Sequence, residues 1–357
     1  MAFHLPTAAG LRARRFCLHS RAEVVGGTRP PDGIRAHPET ALRLIWHHLF
    51  RPLFTLALTL AFTLPLHAQE SSEPAPLAAL GLLLDVVNAG DKLVAVGAHG
   101  HVVISRDNGS TWTQSLTPTR ALLTGVAFPD NEHGWAVGHD GVILATGDGG
   151  LTWHHQDNGQ SLDTVLLDVL FLDATHGFAV GAYGRFLSTT DGGLHWTAGK
   201  PSPDEVHFNR ITAGPDGYLY LAGESGTLQV STDSGKSWSK VAVPYDGSLF
   251  GILPLKNGRI VAYGLRGHIL RSDDHGANWE PENSDVKVLI MGGTRLKPGA
   301  IVLGGQGGHF FISRDSGLTF QHWKPADFGT SVADLVETAD GWLLTVGEAG
   351  AVRVRLP

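Results

Sequence analysis

The sequence has one cysteine, Cys17, in 357 residues, and it lies near the amino terminus. No disulfide, thiolate metal site or cysteine nucleophile can therefore form within the rest of the chain. Charged residues are sparse, at 17%, and unevenly placed. Residues 1–68 hold eight of the 27 Lys and Arg and three of the 34 Asp and Glu, so the remainder holds 19 against 31, a balance of −12. An acidic body argues against nucleic acid as a partner, because phosphates require a basic surface. Long apolar runs are scarce too. The stretch 53–66 has 14 residues, short of the roughly 20 that a membrane span needs. Glycine is abundant, at 46 residues, which suits many tight turns joining short strands.

The apolar stretch reads as an export signal. Arg43 and Arg51, with His47 and His48, precede it, and Leu66-His67-Ala68 follows. A basic flank, a short apolar region and a small residue before the cut place cleavage after Ala68. Residues 1–42 are too long and too irregular for the flank of a signal, and they suggest a start codon assigned too far upstream. Met291 is the only other methionine, so the true start would be a codon written here as, for instance, Val24 or Leu42. Residues 69–76 form a short lead-in and 77–357 the folded domain. The expected product is a periplasmic monomer with no membrane span left after cleavage.

Internal repeats dominate that domain. The motif Ser/Thr-x-Asp-x-Gly-x-x-Trp carries Asp107 with Trp112, Asp148 with Trp153, Asp191 with Trp196, Asp233 with Trp238 and Asp274 with Trp279. A sixth copy has Asp315 and closes with Phe320, and the closing aromatics recur every 41 to 43 residues. A second motif, small-Gly-x-x-Gly after an apolar run, starts at Gly97, Gly138, Gly181, Gly223, Gly264, Gly305 and Gly347. It outlasts the Asp boxes by one copy, so there are seven repeats.

Each repeat reads as four short strands. Leu122–Phe128 is an inner strand, Gly134–Gly138 the next and Val142–Ala145 the third, with His139-Asp140 between them as a tight hairpin in which Gly supplies positive φ. The Asp box makes the following turn, and Trp153 opens an outer strand. Strands apolar on both faces suit a blade sandwiched between neighbours, and the expected fold is an all-β, seven-bladed propeller with four-stranded blades. The seventh unit, Val332–Pro357, has only three strands. The segment just before Leu82 is expected to supply the fourth and close the ring by joining the two ends; Pro74 and Pro76 are tolerable on such an edge. The aspartates read as turn staples and the aromatics as plugs. Calcium loops cluster several oxygens within a dozen residues, whereas each box offers one carboxylate. No metal or cofactor is expected.

Gly134-Trp-Ala-Val-Gly138 through Trp153, with the stretch from Asp168 to Gly181, resembles the photosystem II assembly and stability factor family, over about residues 77–357. The resemblance implies a non-catalytic seven-bladed propeller that helps membrane proteins assemble, and hence a membrane or envelope protein as partner. Photosynthetic members carry a basic patch for that partner, whereas the body here is acidic. Asp boxes also occur in sialidases, so a sialidase-like glycoside hydrolase or a lectin-like sugar binder is the alternative. No arginine motif of the sialidase kind precedes the first box, and the box itself is scaffold.

The hairpins between second and third strands and the links between blades open on one face. That face receives His99, His101, His139, Asp140, Tyr183, Arg185, Glu224, Arg266, His268 and His309. Arg120, Arg210 and Lys287 are expected just before three inner strands, at the mouth of the central channel. Loops on a rigid ring are the usual place for recognition, so this is the expected binding face. The histidines lack the close spacing of a metal site and read more simply as solvated turn residues. Loop-end cations are common, although these three could grip an anion. Tyr183 and Glu224 occupy corresponding hairpins of adjacent blades, where they could mimic a sialidase Tyr–Glu pair; alone they make no mechanism.

Overall fold

The computed structural model describes residues 70–357, apart from 283, 284 and 298. The export signal, the cleavage point and the start-codon reading fall outside the described residues. No helix among the described residues is long and apolar enough to cross a membrane.

The described residues form seven antiparallel sheets in chain order, six of four strands and one of three. Within each sheet the strands follow one another from the inside outward. The inner strands are Leu83–Ala89, Leu123–Ala127, Leu166–Phe171, Phe208–Ala213, Leu249–Pro254, Ile290–Arg295 and Val332–Glu337. The second strands, such as Gly134–Gly138 and Gly177–Gly181, are buried along their whole length. Both faces of a middle strand meet a neighbouring blade, which explains the unbroken apolar runs.

The core is divided among seven seams. Val94, Val96 and Ile104 of blade 1 pack with Leu123, Val126, Ala136 and Leu144 of blade 2. The same arrangement repeats between blades 2 and 3 through Trp135, whose ring stacks on Phe171 at 3.5 Å between centroids. The last seam joins Leu344 and Val346 of blade 7 to Leu83, Val86, Leu93 and Ala95 of blade 1. Burying each of the Val, Leu and Ile side chains stabilises the ring by about 1.5–3 kcal/mol.

Ring closure differs in form from the expectation. Blade 7 has three strands, Val332–Glu337, Leu343–Gly347 and Gly350–Val354, and the segment before Leu82 does not pair as a fourth. Pro74 and Pro76 lack the N–H groups a strand would donate. The N–H of Ala75 is instead satisfied by the Gln114 side chain at 2.7 Å, and that of Ser72 by the Thr117 carbonyl at 2.9 Å. Residues Ala78–Leu80 then form one 3-10 turn. This segment still takes the place of an interblade link. The Ala79 carbonyl oxygen lies 2.1 Å from where a Cβ on Gly350 would be, as the Thr119 oxygen lies 2.0 Å from that of Gly100.

The Gly-x-x-Gly hairpins divide their labour between the two glycines. The second is left-handed, with φ +70° at Gly100 and +65° at Gly141, and so is the residue before it, with φ 58° at both His99 and Asp140. The His101 N–H donates to the Ala98 carbonyl at 3.0 Å, which makes the turn type I′. The first glycine is needed for a different reason. A Cβ on Gly138 would lie 2.1 Å from the Leu122 carbonyl oxygen, and the contact recurs at Gly97, Gly181 and Gly264.

Candidate functional site

The Asp boxes are closed hydrogen-bond circuits. In blade 2, the Thr146 hydroxyl donates to Asp148 Oδ1 at 2.8 Å, and the Thr152 N–H and hydroxyl donate to Oδ1 and Oδ2 at 2.9 and 2.6 Å. The Trp153 indole N–H caps the turn by donating to the Gly150 carbonyl at 3.0 Å. The carboxylate is held in the same way at Asp107, Asp191, Asp233, Asp274 and Asp315, whereas the indole cap recurs at Trp112 and is replaced by bonds to Gln156 at Trp196 and to Ala242 at Trp279. Each carboxylate is occupied by its own turn.

The loop face is built from the type I′ turns. Their first left-handed residue projects His99, Asp140, Tyr183 and Arg266 outward, while His139 and Glu224 precede it and His101, Arg185, His268 and His309 follow the second glycine. These residues do not converge on one point. They form separate groups around the rim. Tyr183, 74% exposed and left-handed at φ 54°, sets its ring edge-on against His207 at 4.7 Å. His207 Nδ1 lies 3.5 Å from Glu224 Oε1, so Tyr183 and Glu224 are linked through His207 and not paired directly. Further round, the Tyr245 ring lies 4.2 Å from His268, and its hydroxyl donates to the Leu265 carbonyl. On blade 6, His309 Nδ1 and His322 Nε2 share a hydrogen bond of 2.8 Å, with Lys324 Nζ 3.3 Å from the other His309 nitrogen. Burial, then Lys324 and His322, hold His309 below its ordinary pKa. Burial first, and His99 second, lower that of His101. No three His, Cys, Asp or Glu side chains among the described residues are grouped to hold a metal.

The three cations assigned to the channel mouth have different fates. Arg120 does precede the inner strand of blade 2, and it is paired with Glu70 at 3.2 Å and Glu73 at 2.9 Å from the lead-in. Lys287 precedes the inner strand of blade 6 and is exposed. Arg210 does not stand ahead of its strand. It is the third residue of Phe208–Ala213 and lies inside the channel, with its side chain 24% exposed.

There Arg210 meets a ring of residues at the same register. The third position of the inner strands holds Asp85, Gly125, Asp168, Arg210, Gly251, Gly292 and Asp334 in blade order. In each strand it follows an irregularity in the pairing, as between Leu83 and Asp85. One guanidinium nitrogen lies 3.4 Å from Asp85 Oδ1 and 3.7 Å from Asp168 Oδ1, and the other 3.5 Å from Asp334 Oδ1. The free oxygens reach the next blade. Asp85 Oδ2 accepts the Val126 N–H at 2.7 Å, and Asp168 Oδ2 the Ile211 N–H at 2.8 Å.

Burial opposes the guanidinium charge, and the attraction of Asp168, Asp334 and Asp85 outweighs it, holding Arg210 well above its ordinary pKa. Burial likewise pushes Asp168 up to about 7 against the pull of Arg210, with Asp85 adding to the rise. Asp334 is raised by burial and by the charge and hydrogen bond of Asp85, again against Arg210. Tyr263, buried beside the group, is also raised. Three carboxylates facing one guanidinium cross-link blades 1, 3, 4 and 7. This is a plug, not a nucleophile with its base.

Sequence reading missed His207 and the three aspartates. Their signal was positional. Asp168 and Asp334 stand 13 residues before Gly181 and Gly347, as Arg210 stands 13 before Gly223, whereas Asp85 stands 12 before Gly97 and comes into register only because its turn is one residue shorter.

Comparison with known proteins agrees with this architecture. Solved structures of similar fold include YCF48 bound to a D1 peptide, with TM-score 0.64 and 20% identity over 82% of this chain and 97% of that one. A streptogramin B lyase is equally propeller-like, with TM-score 0.68 and 14% identity over 81% of this chain and 97% of the other, so such likeness speaks for the fold alone. The chain is 30% identical over 166 residues to the photosystem II assembly lipoprotein Ycf48 of Synechococcus sp. (strain CC9902), covering 46% of this chain and 35% of the relative. It is 36% identical over 149 residues to the Ycf48 lipoprotein of Prochlorococcus marinus (strain MIT 9312), covering 41% and 44%. The chain thus spans less than half the length of the curated relatives it matches. The sequence model of the photosynthesis system II assembly factor YCF48 family, however, matches residues 104–162 and 158–354, nearly the whole propeller. The chain belongs to that family.

Proposed function

We propose that the protein is a non-catalytic, exported assembly or stability factor that docks on a membrane or envelope protein through its loop face. The observation that carries this reading is the family match across the propeller. A related structure holds a D1 peptide, which supports a membrane-protein partner here. The geometry adds two supports. Arg210 and its three aspartates occupy the channel at one height. The loop face presents exposed aromatic and charged groups such as Tyr183 and Arg266, and aromatic residues and arginine are enriched at protein interfaces. A glycosidase reading has no comparable support, since Tyr183 and Glu224 face each other only through His207.

The test is affinity capture from envelope extract with the mature chain and with a Tyr183→Ala, Arg266→Ala variant. A membrane protein recovered by the first and lost with the second is the expected result. Recovery of no specific partner, or equal recovery by both, would overturn the docking face.

A further inference from the structure

The other mouth of the channel carries a different kind of site. The inner-to-second-strand turns of blades 1, 5, 6 and 7, with the Asp-box turns of blades 5 and 6, enclose a cavity of about 870 Å³. That volume is typical of small-ligand sites. Lys256, Arg259, Arg295 and Lys297 line it, against Asp273 and Glu337.

The two acids are already engaged. Asp273 is bridged by both Arg259 and Arg271. Glu337 Oε2 accepts the Lys297 backbone N–H at 2.9 Å. The side chains of Lys256, Arg295 and Lys297 form no ion pair among the described residues. Leu255 and Leu296, each only 8% exposed, add an apolar part to the lining. A concave surface bearing one sign of charge over low-dielectric walls concentrates counter-charged ligands. Here that sign is positive on a body whose balance is −12, so the cluster is a local exception and not a general property of the surface.

We propose that this cavity binds a free small polyanion bearing two or three carboxylate or phosphate groups. Arg295 offers a planar fork for one group, and the two lysines supply point charges to the others. The cavity and the loop face lie at opposite ends of the strands, so ligand and docked partner occupy separate sites. The small volume and the apolar part of the lining favour a compact ligand over a polymer.

Isothermal titration of the mature chain with citrate and with pyrophosphate tests the assignment. Binding of at least one is expected, weakening as salt is raised. Arg295→Ala with Lys297→Ala should reduce affinity by about tenfold or more, and Lys256→Ala should add to the loss. These side chains are exposed, and a thermal scan of each variant checks that the fold is kept. Lys200→Ala, exposed in an interblade link on the opposite face, should bind as the parent does. The proposal fails if neither ion binds the parent chain, or if the variants bind equally well. It also fails if an acidic decapeptide binds through these residues while neither ion does, which would assign the cavity to a protein tail.

Discussion

Arg210 and Asp334 meet across the central channel, with a guanidinium nitrogen 3.5 Å from Asp334 Oδ1, although one belongs to blade 4 and the other to blade 7. With Asp85 and Asp168 on the same guanidinium, this contact makes one side chain the common partner of three blades besides its own.

Replacing Arg210 by Met would strand three largely buried carboxylates. Loss of one partner of a buried pair costs several kcal/mol, and about 3 kcal/mol is expected here. Asp334→Asn removes one of three competing negative charges and should cost less than about 1 kcal/mol. Urea unfolding of the two variants separates these outcomes. Equal losses would mean that the carboxylates do not compete for the guanidinium.

The raised pKa of Asp168 makes stability depend on pH. An unfolded aspartate titrates near about 3.9, and in the folded chain Asp168 is pushed up to about 7. Between those values the folded state binds the extra proton, so this contribution is complete below about pH 4 and is lost as pH rises through about 7. The Asp boxes act in the opposite sense. Hydrogen bonds from their own turns lower Asp107, Asp191, Asp233 and Asp274 to about 2, so their contribution is present above about pH 4 and lost as pH falls through about 2. Unfolding free energy measured across this range should show both slopes. Asp168→Asn should flatten only the upper one.

Two glycines nine residues apart, Gly138 and Gly147, should respond very differently to alanine. Gly138→Ala places a Cβ 2.1 Å from a backbone oxygen, which no side-chain adjustment can relieve. A loss of at least about 2 kcal/mol is expected. A Cβ on Gly147 would meet nothing within 4 Å, so Gly147→Ala should stay within about 0.5 kcal/mol of the parent. Thermal denaturation distinguishes them.

Tyr183 separates docking from stability. Its left-handed backbone, at φ 54°, costs about 1 kcal/mol or more for a side chain that is mostly exposed. Tyr183→Gly should therefore hold or raise Tm while weakening partner capture by about tenfold. A fall in Tm would show that the tyrosine is retained for packing against His207.

The seven repeats, the strand order and the sealed Asp-box turns were all legible in the sequence, because each depends on local periodicity and turn chemistry. Positive φ accounts for the second glycine of each hairpin, whereas the first is constrained by a carbonyl from the preceding link, a contact that depends on how strands stack. The plug was illegible for a related reason. Asp85, Asp168 and Asp334 each look like an isolated break in an apolar strand, and only the closed ring brings them to one height around Arg210. Blade 7 was counted correctly, but the prolines of the lead-in turned its closing segment into a 3-10 turn.

The division of the core into seven seams has a mechanical consequence. Six of the seams lie between blades that the chain itself tethers, so each can part and reseal with its halves held close. The seam of Leu344 and Val346 against Leu83 and Val86 has no such tether, because the two ends of the propeller meet there. It behaves as the clasp of a bracelet: once tension on the ends has peeled the lead-in from blade 1, blades 1 and 7 are kept together by this apolar contact, by hydrogen bonds such as those of Asn88 to Glu337 and Arg353 to Ser110, and by the shared guanidinium of Arg210.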